Sequence, residues 1–128
     1  MIITSVRART LGNPLHTAVS FEPPTTAMLG GIGPFGNGVS LAPEPAALTV
    51  VEVTTDAGLT GIGTVGGRNI GATAIIEGHL KDLLIGEDAS RIEWLWNLMY
   101  KSTHQYGMRG AVVMAMSGVD IALWDLAG

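Results

Sequence analysis

From about Arg109 to Ala127 the chain carries a helical run that is apolar on nearly every side, broken mainly by Ser117, Asp120 and Asp125. A helix with no polar face is a buried element, so the remainder of the fold has to be arranged around it. One of its faces, Ala111, Ala115, Gly118 and Ala122, is entirely small, which lets a neighbouring element approach the backbone closely. A bilayer is the other environment for such a run, but each acidic group at its centre would cost about 2.5–3.5 kcal/mol. Asp120 and Asp125 therefore exclude a membrane span. Five positions apart, they point in different directions. Buried acids are expected to be paired or hydrogen-bonded, so each reads as a carboxylate tying the helix to a neighbouring backbone or Arg.

Three strands and two helices precede this run. Ile2 to Thr10 is rich in β-branched residues and alternates loosely, and Ala47 to Thr55 is a strand by composition. Asp56-Ala57-Gly58 supplies a turn, and Leu59 to Val65 returns as the second arm of a hairpin. Ala72, Ile76, Leu80 and Leu83 then form an apolar stripe at helical spacing, with Gly86 placed to end the helix. A second helix opens at Ser90, where Glu93 completes a capping box, and its stripe is Ile92, Leu95, Trp96 and Met99. The fold class is α+β: a three-stranded antiparallel sheet followed by three helices.

With 128 residues the chain has room for one domain and one modest core. Charged residues make up only 14% of it against 47% hydrophobic, well under the roughly 25% charge of soluble domains. Such a shortage of charge points to a surface that something else covers. The net charge is −4 and the basic residues are scattered, so there is no electrostatic footprint for nucleic acid. No cysteine is present, which removes disulfides, thiolate nucleophiles and cysteine zinc sites and fits a reducing cytoplasm. The amino terminus has no basic region followed by an apolar one, as a signal peptide would.

Between Leu11 and Pro45 lies a loop of about thirty residues dominated by Gly, Pro and small side chains, and loops of this length are usually functional or disordered. It also carries Val19, Phe21, Met28, Leu29 and Phe35, so it is expected to close over something. His16 sits near its start and is a candidate substrate contact. Arg68 is the one charged residue between Gly61 and Gly71, placed between a strand end and a helix start where it can meet an anionic ligand. His79 falls beside an apolar stripe and reads as packing, and His104 reads as solvated. Two segments match G-x-G-x-x-G, at Gly61/Gly63/Gly66 and Gly31/Gly33/Gly36. Neither follows a strand and opens a helix within a βαβ unit, so neither is read as a nucleotide site. No nucleophile elbow, Ser/His/Asp arrangement or metal-ligand spacing is present.

The segment Val51-Glu52-Val53-Thr54-Thr55-Asp56-Ala57-Gly58-Leu59-Thr60-Gly61-Ile62-Gly63 resembles the hairpin of the mandelate racemase/muconate lactonizing branch of the enolase superfamily. Leu83-Leu84-Ile85-Gly86-Glu87-Asp88 and Ile92-Glu93-Trp94-Leu95-Trp96-Asn97-Leu98-Met99-Tyr100 resemble its two following helices. Met116 to Gly128 is similar to the signature helix that leads into the catalytic barrel, and Pro14-Leu15-His16-Thr17-Ala18-Val19 looks like the closing loop of mandelate racemase. The resemblance implies an N-terminal capping domain over residues 1–128, with the family's (β/α)7β barrel absent from this sequence. It further implies Mg²⁺ held by barrel carboxylates, a barrel Lys or His that takes the proton α to a carboxylate, and a homo-oligomer when intact. The cap supplies two closing loops, here about 15–37 and 64–70. Only loop positions carry over, namely His16, Val19, Phe21 and Arg68 as substrate-facing residues, with no catalytic residue and no metal ligand in this chain.

The expected function is therefore the capping portion of an enzyme acting on a small carboxylate substrate, an acid-sugar dehydratase. A mandelate-type racemase or epimerase is the alternative, on the His16-Thr17-Ala18-Val19 match. An alternative of another class is a stand-alone, non-catalytic binding or interaction module. In either enzyme reading the barrel is the partner, and neither nucleic acid nor membrane is.

Overall fold

The computed structural model describes residues 1–12, 47–65, 70–107 and 109–128. The chain divides into two compact units, Met1–Leu11 with Ala47–Gly128, and Gly12–Ala46. In the first unit, strand β1 (Ile3–Gly12), β2 (Ala47–Thr55) and β3 (Thr60–Val65) form a sheet in the order β1-β2-β3. β2 and β3 pair antiparallel with Thr54 opposite Thr60 and Thr49 opposite Val65. Side-chain bonds tie Thr4 to the Thr54 carbonyl at 3.2 Å and Arg9 to Glu52 at 2.8 Å. Pairing partners thus descend along β2 as they ascend along β1, so the whole sheet is antiparallel, as expected. In the hairpin turn Gly58 takes φ +77°, a left-handed geometry that suits glycine.

The first helical segment departs from the sequence expectation in an informative way. It runs as α1 (Ile70–Ile75), a π-helical turn (Ile76–Leu80) and α2 (Lys81–Leu84). Ala72, Ile76, Leu80 and Leu84 are fully buried, whereas Leu83, assigned to the stripe from sequence, is only partly so. A pure α-helix would carry a four-residue repeat steadily off the core, because its turn is 3.6 residues. The wider π turn absorbs that drift and brings Leu84 onto the core. Gly86, at φ +92°, then ends the segment as expected.

Helix α3 (Ile92–Ser102) corrects a second expectation. Ser90 and Glu93 form no capping box: Arg91 occupies the cap position without a side-chain bond. Asp88 takes the Ser90 amide instead, at 3.0 Å, and its carbonyl takes the Arg91 amide at 3.1 Å. A shorter side chain two residues upstream has claimed the donor, and the helix begins one residue later than the capping box would place it. The expected stripe holds, with Ile92, Leu95 and Met99 buried and Trp96 packed against the core.

A 3₁₀ turn (His104–Tyr106) leads to α4 (Ala111–Ala127), the long apolar helix. It lies on the inner face of the sheet, where Val51, Val53 and Val65 meet Val112, Ala115, Met116, Val119, Ala122 and Leu123 in one buried core. Its small face does what small residues allow. A Cβ on Gly63 would fall 1.9 Å from the Gly118 carbonyl oxygen, and one on Gly61 would fall 2.0 Å from that of Ala122. One on Gly118 would meet the Val65 side chain at 2.4 Å. Helix and strand backbones are in direct contact, which only glycine at these positions permits.

Candidate functional site

Two segments are expected to face substrate, and His16, Val19, Phe21 and Arg68 all lie in them, outside the described residues. The structure does describe the residues from which these segments spring. Residues 13–46 connect the end of β1 to the start of β2, and residues 66–69 connect the end of β3 to the start of α1. Thr49 pairs with Val65 across the hairpin, and the Thr10 hydroxyl lies 3.3 Å from that of Thr49. Both segments are therefore rooted at the same end of the sheet. The opposite end carries the Asp56–Leu59 turn, and there Ile2 is fixed by the Asp56 carboxylate at 2.9 Å and Met1 by the Ala89 amide at 2.8 Å.

The loop-bearing end is held by three hydroxyls that sequence reasoning did not single out. Thr10 lies near the end of β1, Thr49 near the start of β2, and Thr73 in the first turn of α1. Thr10 and Thr73 are 2.7 Å apart and Thr49 and Thr73 3.1 Å, which closes a triangle with the Thr10–Thr49 contact. Thr49 is fully buried, so its hydroxyl needs these partners. The signal in the sequence was no more than three threonines near loop boundaries, and nothing in spacing says that they meet.

Packing bears on the first G-x-G-x-x-G segment at Gly61 and Gly63, whereas Gly66 and the second segment, Gly31/Gly33/Gly36, lie outside the described residues. Gly61 and Gly63 are sealed against the carbonyls of α4, so no phosphate can approach them. Of the two acids of α4, both expected to tie the helix to a neighbouring backbone or Arg, only Asp125 does so among the described residues. Asp125 accepts the Ile62 amide at 2.8 Å and so ties the helix to β3. Asp120 has no hydrogen-bond partner among the described residues, and burial raises its pKa above the ordinary carboxylate value. His79 packs edge to face against Tyr106, with ring centroids 5.4 Å apart and planes at 89°; its buried Nε2 has no hydrogen-bond partner among the described residues. His104 is exposed.

One side of α4 is uncovered in this unit. Met114, Ile121 and Trp124 are 41%, 47% and 58% exposed, so the helix is buried on the sheet side only and not all round as its composition suggested. Beside it a groove of about 510 Å³ runs between the start of α3 and the end of α4, lined among others by Trp94, Trp124 and Ala127. The Arg91 guanidinium sits 4.1 Å above the Trp94 ring. Exposed aromatic and aliphatic side chains beside an arginine are the composition of an interface. Among the described residues no group of three or more His, Asp or Glu converges as a metal site. No helix among them is long and apolar enough to cross a membrane.

Comparison with known proteins agrees with this architecture. Residues 39–128 match the family described as mandelate racemase / muconate lactonizing enzyme, N-terminal domain. An arabinonate dehydratase of Saccharolobus solfataricus is 41% identical over 90 residues, covering 69% of this chain and 24% of that protein. A D-galactonate dehydratase family member of Pseudarthrobacter chlorophenolicus is 44% identical over 81 residues, covering 61% of this chain and 19% of that protein. The crystal structure of a racemase from Streptomyces coelicolor A3(2) with bound magnesium superposes with a TM-score of 0.73 at 29% identity, covering 98% of this chain and 32% of that one. The chain thus spans a quarter or less of the curated relatives' length. Fold, helix order and matched residues agree, and the chain belongs to the mandelate racemase / muconate lactonizing enzyme family, whose N-terminal domain it carries.

Proposed function

We propose that this chain is the substrate-capping part, over residues 1–128, of an enolase-superfamily enzyme that removes the proton α to a carboxylate of an acid sugar and then loses the β hydroxyl as water. The observation that carries this reading is the rooting of residues 13–46 and 66–69 at one end of the sheet. Two segments leaving the same end can close over one substrate. In this reading Arg68 and His16 hold carboxylate or polyol groups, while Val19 and Phe21 exclude water from them. Dehydration is preferred because an arabinonate dehydratase is among the relatives in sequence. Racemization is the second reading, supported by the likeness to a magnesium-bound racemase and by the His16-Thr17-Ala18-Val19 segment.

The base and the magnesium ligands belong, in this reading, to a (β/α)7β barrel that these 128 residues do not contain. The uncovered side of α4, with Met114, Ile121 and Trp124, is the surface that would lie against that barrel. The intact enzyme is read as a cytoplasmic homo-oligomer. The test is a screen of acid sugars in D₂O with Mg²⁺ against the intact enzyme. Exchange of the α proton accompanied by water loss is expected for a narrow set of stereoisomers. Exchange with inversion and no water loss would favour racemization. No exchange with any α-hydroxy acid from a folded, metal-loaded protein would overturn the enzyme reading.

A further inference from the structure

The triangle of hydroxyls at the loop-bearing end joins two neighbouring strands of the sheet to the helix that follows the hairpin. Thr73 reaches across 63 residues to Thr10 and 24 to Thr49, with oxygens 2.7 Å and 3.1 Å away. Thr10 and Thr49 close the ring at 3.3 Å. A hydroxyl has one donor and two acceptor sites, so in such a ring each can donate to one neighbour and accept from the other. The ring links both ends of the connection between β1 and β2 to the first turn of the helix that receives residues 66–69. An apolar Val at these β-branched positions would serve packing equally well. Three hydroxyls from three elements serve a connection instead.

We propose that Thr10, Thr49 and Thr73 are positioning residues that hold the roots of the two substrate-selecting segments at a fixed separation, so that loosening one root loosens the other. The cap reading is the ground for calling the segments substrate-selecting; the linkage between roots stands without it. Each hydroxyl makes two of the three bonds, and the two made by Thr73 are the ones that tie α1 to the strands, so its replacement separates helix from strands within the ring.

The experiment is hydrogen–deuterium exchange on the intact protein without substrate, comparing Thr73→Val with Thr73→Ser. Thr73→Val is expected to speed exchange about five- to tenfold at the end of β1 and the start of β2 as well as in α1, with α3 unchanged. Thr73→Ser, which keeps the hydroxyl, is expected to stay within about twofold of the native protein. If α3 also loosens, Thr10→Val, which alters an exposed side chain, is read by the same criteria. Faster exchange confined to α1, or equal loosening by Val and Ser, overturns the linkage. On the acid sugar that the native enzyme turns over, Thr73→Val is expected to raise KM about fivefold or more with kcat within about twofold. An unchanged KM despite loosened roots overturns the positioning role. If the roots loosen but the native protein turns over no α-hydroxy acid, the cap reading falls and the linkage stands.

Discussion

The Asp125 carboxylate on α4 accepts the amide of Ile62 on β3 at 2.8 Å. Ile62 faces Glu52 across the hairpin, yet its N–H points away from β2, to the free edge of the sheet. The other edge is treated alike: the Glu77 carboxylate, from the π-helical turn, accepts the Ala8 amide of β1 at 2.5 Å. Each edge strand of this sheet thus has an outward amide occupied by a helix-borne acid, which blunts the edge against pairing with another chain.

Replacing Asp125 with Ala is expected to lower stability by about 1 kcal/mol, since the edge amide can turn to water. Asp125→Asn, which keeps an acceptor oxygen, is expected to lose less. Denaturant midpoints of the two variants check this, and equal midpoints for Ala and native protein would remove the role.

The contact between β3 and α4 sets a sharper expectation. Gly63→Ala puts a methyl group 1.9 Å from the Gly118 carbonyl oxygen, so the helix has to move away from the sheet. A loss of about 3 kcal/mol is expected, at the upper end for overpacking. Gly78→Ala is the control: its Cβ meets nothing within 4 Å, and in a helical turn it is expected to gain about 0.5–1 kcal/mol. Thermal melts of both variants, moving in opposite directions, are the check.

Two acids bind protons with opposite consequences. The Asp88 carboxyl is held below its ordinary value by the backbone amide of Ser90 first, and also by the amino terminus. Its contribution is present above the unfolded value of 3.8 and is lost as pH falls through the lower folded value. Asp120 is raised by burial, so it weakens the fold at neutral pH and the penalty fades as pH falls from the raised folded value towards 3.8. Asp88→Asn is therefore expected to destabilise at pH 7 and Asp120→Asn to stabilise, both differences shrinking on acidification. Stability measured from pH 7 to pH 3 gives the two signs.

The exposed side of α4 makes a prediction about behaviour in solution. The 128-residue chain alone is expected to self-associate or bind hydrophobic dyes through Met114, Ile121 and Trp124. Ile121→Lys with Trp124→Lys is expected to reduce association without lowering the melting temperature, because neither side chain is in the core. Sedimentation of the two proteins decides it.

Much of this fold is legible in the sequence because its signals are local. Val50, Val51 and Val53 announce β2, Asp56-Ala57-Gly58 the turn, and the small face of α4 its close approach to another backbone. What escaped depends on geometry between distant residues. The π turn that swaps Leu83 for Leu84 is invisible to a stripe count, since a four-residue repeat fits an α-helix and a wider turn almost equally over one turn. The capping box at Ser90 failed because Asp88, two residues earlier, competes for the same amide. Nothing local says that Thr10, Thr49 and Thr73 meet, because their partners are 24 to 63 residues away. His16, Val19, Phe21 and Arg68 rest on resemblance, and their roles are for experiment to decide.

In the proposed function this chain selects the substrate while the chemistry belongs to a barrel outside these 128 residues. The direct measurement is kcat/KM across a panel of acid sugars for the intact enzyme in which residues 15–37 are replaced by the matching segment of the arabinonate dehydratase relative. Preference is expected to shift towards arabinonate by tenfold or more, about 1.4 kcal/mol of differential transition-state binding, with the same reaction type retained. An unchanged order of preference in a folded, active chimaera would contradict it.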